Sequence, residues 1–378
     1  MLKLIKEAAE RLAPVLSATP VIFSSSLTDI LGFPCHLKLE NLQKTGSFKS
    51  RGAYNKIASL TPEEKTRGVV TASSGNHAQG VAWASSRLGI NSTVVMPETT
   101  PINKYTATRG YGAAVVFWGA SFDEAYAKAK TLAEEKNLTL IPPFDDEIII
   151  AGQGTIGLEL MSALTSFDTV IAPVGGGGLI SGIACALKES GPDVKIIGVK
   201  AEGDCAIADG IAVKKLGDIT SPLIQRHVDS VVSVSEAAIA AAILILLERK
   251  KLVVEGAGAV TVAAALEKKL PHAPKKAVFI LSGGNIDVTT LDRVLRLGLL
   301  KEGRVVRIST NVPDRPGSLA ALTSIIASCR ANILRVAHER DAVDSPIGST
   351  KLDIILEVEG REHAKRIFKT LRENGYEI

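Results

Sequence analysis

The sequence predicts an α/β fold, a parallel sheet wrapped by helices, followed by a small ferredoxin-like βαββαβ module. Short apolar strands alternate with helical patterns over most of the 378 residues, which is the signature of parallel α/β architecture. Three strand ends run into turns rich in glycine, serine or asparagine, and then into helices. The alternation breaks after about residue 300, where a different order begins.

The opening segment, MLKLIKEAAERLAPVL, has apolar residues at helical spacing interrupted by charges, so it lacks the continuous apolar run of a signal peptide. Next comes Thr45-Gly46-Ser47-Phe48-Lys49-Ser50-Arg51-Gly52, with Ser47 as a helix N-cap and Arg51 through Leu60 as the helix that follows. Lys49 then lies in the first turn, where the partial positive charge of a helix N-terminus disfavours an ammonium. A nearby anion or a neutral amine relieves that conflict, and a neutral amine is a nucleophile toward carbonyls. The alternative is a solvated lysine beside a turn, with Arg51 either solvated or in a structural ion pair.

The first junction has a strand at Gly68 to Ala72, the turn Ser73-Ser74-Gly75-Asn76 and a helix from His77 to Leu88. Strands near Ser92 to Met96 and Ala114 to Phe117 follow, with a helix near Ser121 to Lys136. At the second junction Thr169 to Val174 leads into Gly175-Gly176-Gly177-Gly178 and the helix LISGIACALKE. A strand at Lys195 to Val199 and a helix at Glu236 to Arg249 come next. The third junction runs from Ala277 to Leu281, through Ser282-Gly283-Gly284-Asn285, to a helix around Leu291 to Leu299. In open α/β sheets ligands bind beyond the carboxyl ends of the strands, so all three turns are candidates for lining one crevice.

Leu300 to Gly303 reads as a linker. From Arg304 the order is strand (VVRIST), turn (Asp314-Arg315-Pro316-Gly317), helix (SLAALTSIIASC), two strands (NILRVAHE, KLDIILEVE), helix (EHAKRIFKTLREN) and a last strand at Tyr376. This is the ferredoxin-like order, in a module of roughly 75 residues, enough for a small domain.

Forty-four basic and 40 acidic residues leave a formal charge of +4 without a long basic run, so neither nucleic acid nor an anionic membrane is implied. No apolar run reads as a membrane-spanning helix, and the cytoplasm is the expected compartment. Cys35, Cys185, Cys205 and Cys329 lack the close pairs of a zinc or redox motif and are expected to be reduced core thiols. No metal is expected.

Four consecutive glycines at a strand-to-helix turn expose backbone N–H groups, and the helix dipole adds attraction for an anion such as phosphate. Ile180 occupies the third glycine position of G-x-G-x-x-G and there is no G-K-[ST], so a nucleotide is not favoured. The alternative is a tight turn that lets helix and sheet pack closely. A phosphate cradle together with a neutral lysine suggests pyridoxal phosphate, which forms a Schiff base with lysine.

TGSFKSRG, SSGNHAQG, PVGGGGL and LSGGN, in that order and at these distances, resemble the fold-type II pyridoxal phosphate enzymes, and within them the threonine and serine dehydratases. The resemblance is dense from about residue 5 to residue 298, and the C-terminal module resembles an ACT regulatory domain. It implies two open twisted α/β sheets with helices on both faces, as a catalytic domain over residues 1–300. A small subdomain at about 45–142 is inserted in the large one, and an ACT-like domain covers 304–378.

Carried over, the resemblance makes Lys49 the Schiff-base lysine and the base for the α-proton, with Phe48 beside it in the cofactor site. Gly175, Gly176, Gly177 and Gly178 become the phosphate loop, Asn76 a partner of the cofactor's phenolic oxygen, and Ser282 the partner of its pyridine nitrogen. A hydroxyl there cannot hold the ring protonated as a carboxylate could, which favours elimination of the β-hydroxyl. Ser73, Ser74, Gly75, Asn76 and His77 would bind the substrate carboxylate. Read alone, Ser73, Ser74, Asn76 and Ser282 are also ordinary helix caps, and His77 a residue that starts a helix.

The implied reaction converts threonine to 2-oxobutanoate and ammonia, and serine to pyruvate. Ser74 also matches the hydroxyl that reprotonates from the opposite face in serine racemase, so racemisation is the nearest rival. A ligand sensor that has lost catalysis is the rival from another class, against which Lys49 argues. Asp314, Arg315, Pro316, Gly317, Ser318 and Leu319 are the candidate effector-binding residues, with isoleucine as first choice and a ligand-free dimerisation module as the alternative. A homo-oligomer, dimer or tetramer, is expected. Two features depart from the family pattern: Gly198 to Ala206 runs almost directly into Ile207 to Val213 where relatives have a longer connection, and Lys200 stands where some relatives have a carboxylate that binds a divalent cation.

Overall fold

The computed structural model describes residues 1–203, 205–211, 215–340 and 346–378. The expected short connection after Ala206 therefore lies partly outside the described residues, at Asp204, Ala212 and Val213. The chain divides into two compact units, Met1–Thr290 and Leu291–Ile378.

The first unit opens with a helix, Leu2–Leu12, and two strands, β1 (Val21–Phe23) and β2 (Cys35–Leu39). It then leaves this sheet to build another from β3 (Val69–Ala72), β4 (Ser92–Met96), β5 (Ala114–Phe117) and β6 (Thr139–Leu140). It returns with β7 (Thr169–Pro173), β8 (Lys195–Ala201), β9 (Ser230–Val234) and β10 (Ala277–Leu281). The six-stranded sheet has the order β1-β2-β10-β7-β8-β9, parallel except where β1 pairs antiparallel with β2. The four-stranded sheet, β5-β4-β3-β6, is parallel throughout.

Strands β3, β7 and β10 are buried along their whole length, as continuous apolar runs are when helices cover both faces. Their carboxyl ends release the chain into the three turns anticipated above. The helix Lys49–Ala58 packs against the long helix Glu147–Ala163, and Gly52 admits the crossing, because a Cβ there would lie 2.3 Å from the Gln153 amide nitrogen. The Gly52 N–H donates to Gln153 Oε1 at 3.2 Å, and Asn55 Nδ2 to the Ile148 carbonyl at 2.7 Å. These contacts lock the segment that begins with Lys49.

The second unit contains most of the helix Val288–Lys301, then β11 (Val305–Pro313), a helix Ser318–Ser328, β12 (Asn332–Glu339), β13 (Ser349–Glu357) and a helix Arg361–Glu373. The sheet order is β11-β13-β12, antiparallel. Two expectations are corrected. Leu300 and Lys301, read as linker, end a helix. Tyr376 forms no strand; with Ile378 it packs onto the apolar cluster of Leu352, Ile354, Ile367 and Leu371, so its apolar signal reports packing.

Candidate active site

The segment around Lys49 is set by the third turn. Ser47 forms a bridge with Gly283, the Phe48 N–H donates to the Ser282 carbonyl at 3.1 Å, and the Gly284 N–H to the Gly46 carbonyl at 2.9 Å. This overrides the local cap signal. The N-cap residue is Phe48, no side chain caps the helix, and Lys49 is its first residue. The Thr45 and Ser47 hydroxyls are buried without a protein partner.

Lys49 is partly buried, and its Nζ donates to the Pro143 carbonyl at 2.6 Å. Burial pulls the amine down to about 8, against the opposing attraction of the Glu255 carboxylate. Roughly a tenth of such an amine is neutral at pH 7, some hundreds of times more than for an exposed lysine. Phe48 lies beneath it, with Nζ 5.3 Å from the ring centroid.

The first turn supplies Asn76, the first residue of the helix Asn76–Arg87, which starts one residue earlier than expected and whose N-cap, Gly75, has no side chain. Asn76 Nδ2 donates to Glu255 Oε1 at 2.7 Å, and Asn76 Oδ1 accepts from Asn285 Nδ2 at 2.7 Å. The same Asn285 amide donates to the Thr45 carbonyl at 2.6 Å, which ties the first motif to the other two. Ser73 Oγ accepts from the Gly75 N–H at 3.2 Å, and Ser73 to Asn76 stay partly exposed. His77 is different: it is buried, its Nε2 lies 3.2 Å from the Ile141 carbonyl, and burial followed by the charge of Lys49 pushes it down to about 3. A neutral ring that hydrogen-bonds a strand end is the structural role its position at a helix start suggested.

The glycine loop reaches Lys49 through Pro143 and Phe144. A Cβ on Gly176 would lie 2.4 Å from the Phe144 ring, next to the carbonyl that receives Lys49 Nζ. Gly177 has φ +96°, a conformation that side chains disfavour. Close packing therefore explains part of the glycine run. The rest is the exposed backbone: Gly178 begins the helix Gly178–Lys188 with no side-chain cap, so its first-turn N–H groups face the turn.

Behind Lys49 lies a buried ionic cluster that local pattern did not reveal. Arg51 is 1% exposed. It grips Glu40 with two hydrogen bonds of 2.8 Å, Glu159 at 2.5 and 2.9 Å, and Thr155 Oγ1 at 3.0 Å. Lys38 joins it by contacting Glu159 and the Thr19 carbonyl. Burial alone would raise the Glu40 carboxyl, but the Arg51 guanidinium and then Lys38 hold it below the usual range. Arg51 is thus in an ion pair, the second of the two readings left open above.

Glu255 and the Pro143–Phe144 pair were also missed. The signal for Glu255 was an acidic residue inside the otherwise apolar run Leu252 to Val260, since a carboxylate in such surroundings is seldom idle. Nothing local marks Pro143.

A separate cluster brings ligand atoms of Cys185, Glu189 and His227 within 4.8 Å of one another. Glu189 is already engaged, accepting from the Leu2 N–H at 2.8 Å and pairing with the Met1 ammonium at 3.4 Å. Burial pushes the Cys185 thiol up to about 12. This carboxylate caps the first helix, and the thiol is disfavoured as a thiolate ligand. No disulfide joins any of the four cysteines.

The residues present fit pyridoxal phosphate. A partly neutral lysine amine, uncapped helix amides beside a glycine loop, and buried hydroxyls of Thr45 and Ser47 without protein partners offer the linkage and the donors that this cofactor needs. Lys49 would carry it, Gly175 to Gly178 would hold its phosphate, and Asn76 and Ser282 would meet its ring.

Comparison with known proteins agrees. The family described as pyridoxal-phosphate dependent enzyme matches residues 12–283. An L-threonine ammonia-lyase of Thermotoga maritima is 49% identical over 99% of this chain and 98% of its own. The serine racemase of Dictyostelium discoideum has a similar structure, with a TM-score of 0.72 and 40% identity, over 76% of this chain and 99% of that one. The processed form of threonine deaminase isoform 2 from Solanum lycopersicum gives a TM-score of 0.74 and 38% identity, over 79% and 88%. With its lysine, glycine loop and three strand-end turns linked in one unit, the chain belongs to the family of pyridoxal-phosphate dependent enzymes.

Proposed function

We propose that this enzyme converts L-threonine to 2-oxobutanoate and ammonia, and L-serine to pyruvate and ammonia. The observation that carries the proposal is the Lys49 amine, drawn down to about 8 where the three turns meet. The choice of substrate is supported by the full-length likeness to an L-threonine ammonia-lyase. When bound to Lys49, the cofactor supplies an electron sink for the substrate's α-carbon. The chain's own residues do the rest. Lys49 Nζ takes the α-proton once the substrate amine has displaced it, and the hydroxyls and N–H groups of Ser73 to His77 hold the carboxylate. Ser282 would face the ring nitrogen with a neutral hydroxyl, and the β-hydroxyl leaves as water, which hydrolysis of the product enamine consumes again.

Racemisation is the second reading, supported by the likeness to a serine racemase and by the partly exposed Ser74. Incubation with L-threonine and L-serine side by side, scoring oxo acid, ammonia and D-serine, separates the two. D-serine formed faster than pyruvate would reverse the ranking.

Residues 1–300 serve as the catalytic domain in this reading, with 45–142 as its small subdomain, and 304–378 as an ACT-like regulatory domain. A cavity of about 410 Å³ lined by Asp314 to Leu319, His338, Arg340 and Thr350 supports an amino-acid effector. Asp314 there is 3.4 Å from Arg340, which gives opposite charges for the two ends of a zwitterion. Isoleucine is the expected effector and a cytoplasmic homo-oligomer, dimer or tetramer, the expected form. For the membrane question, no helix among the described residues is long and apolar enough to cross a bilayer.

A further inference from the structure

Glu255 stands just before the helix Gly256–Leu266 yet does not cap it with its side chain. It is 7% exposed, and its N–H donates to the Gly283 carbonyl at 3.0 Å, so its backbone is fastened to the third turn. Its carboxylate crosses to the first turn, where Oε1 accepts from Asn76 Nδ2 at 2.7 Å. Gly283 makes this crossing possible, since a Cβ there would lie 2.2 Å from Glu255 Oε1. The glycine at position 283 of the third turn thus has a packing reason that involves a residue outside every motif.

We infer that Glu255 is a positioning residue of this site, whose carboxylate fixes the orientation of the Asn76 amide and serves as the standing counter-charge of the Lys49 amine. The orientation follows from donor and acceptor identity. A carboxylate only accepts, so it selects the nitrogen end of Asn76, while Asn285 donates to the oxygen end at 2.7 Å. Turning the amide over would set oxygen against oxygen and nitrogen against nitrogen.

The counter-charge follows from where the carboxylate sits: the position a Cβ would take on Gly283 is 2.2 Å from Glu255 Oε1 and 3.2 Å from Ser47 Cβ, so the carboxylate lies against the strand-like segment that leads into Lys49. Among the described residues the charge that acts on Lys49 is that of Glu255, which stabilises the ammonium, while burial keeps the neighbouring His77 neutral. Without Glu255, burial would leave the amine a weaker base. The inference rests on Lys49 being the base of the proposed reaction, because the basicity of that amine governs both acceptance and return of the α-proton.

Glu255→Gln keeps an acceptor oxygen toward Asn76 and removes the charge, whereas Glu255→Asp keeps the charge. In cofactor-free protein, the pH dependence of Lys49 acylation by acetic anhydride is read by peptide mass spectrometry. The midpoint in Glu255→Gln should fall by about one pH unit or more, and Glu255→Asp should lie between it and the parent. In the loaded enzyme, the acidic limb of kcat for threonine, which reports the amine after the substrate has displaced it, should move the same way. A midpoint equal to or above that of the parent, in a variant of unchanged melting temperature, overturns the inference. Should Glu255→Gln not fold, Glu255→Met supplies the neutral side chain of similar volume, with the same two outcomes. If the parent forms no 2-oxobutanoate, the proposed reaction fails, while the acylation midpoint still decides the case of Glu255.

Discussion

Replacing Arg51 with methionine should destabilise the catalytic unit strongly. Arg51→Met deletes five hydrogen bonds and leaves the Glu40 carboxylate, itself 0% exposed, with Thr19 and a Lys38 ammonium 4.0 Å away. Removing one partner of a buried pair costs about 3–5 kcal/mol, mostly because the surviving charge stays buried. At about 2 °C per kcal/mol for a unit of this size, that lowers the melting temperature by roughly 6–10 °C. The sign with pH is also fixed. In the parent, Glu40 lies below its ordinary value, so its stabilisation is present above that value and fades as pH falls through the depressed one. In the variant, burial raises Glu40, so protonation relieves the strain and the gap to the parent narrows between pH 8 and pH 5. The assay is thermal unfolding of the loaded enzyme followed by circular dichroism, across that range. Adding Glu40→Gln should recover part of the loss. A single variant melting within 2 °C of the parent, or a double variant losing the sum of both singles, would refute the reasoning.

Other consequences can be measured alongside. Lys49→Ala should remove the cofactor's visible absorption and almost all turnover; a variant that keeps both has its lysine elsewhere. Gly176→Ala forces a methyl to 2.4 Å from the Phe144 ring, so it should cost about 1–3 kcal/mol and weaken cofactor retention on dialysis, whereas full retention would mean the loop does not hold the phosphate. His77 is held near 3 against an ordinary 6.5. The unfolded chain therefore binds its proton first, stability drops as pH falls from 6.5 toward 3, and His77→Gln should flatten that slope in melting-temperature scans. Saturating isoleucine should change the initial rate of the full chain and raise its melting temperature, and no response to isoleucine, valine or threonine would exclude these effectors.

The parts of this molecule legible in the sequence are those that local pattern encodes. Buried strands such as β7 and β10 show as apolar runs, and turns such as Gly175 to Gly178 show as departures from side-chain-bearing residues. Charge pairing across distance is not encoded that way. Glu40, Arg51 and Glu159 meet across up to 119 positions, and nothing near any one of them names its partner. Ser47 shows the converse, a strong local cap signal overruled by a backbone bridge to Gly283. Tyr376 shows that an apolar residue at a chain's close can report packing as well as pairing.

The central claim is that Lys49 carries the cofactor. Reducing the loaded enzyme with borohydride, digesting it and mapping the pyridoxyl group by mass spectrometry tests this directly. The account predicts a single modified peptide, with the added mass on Lys49. The same mass on another lysine, or on none, would contradict it.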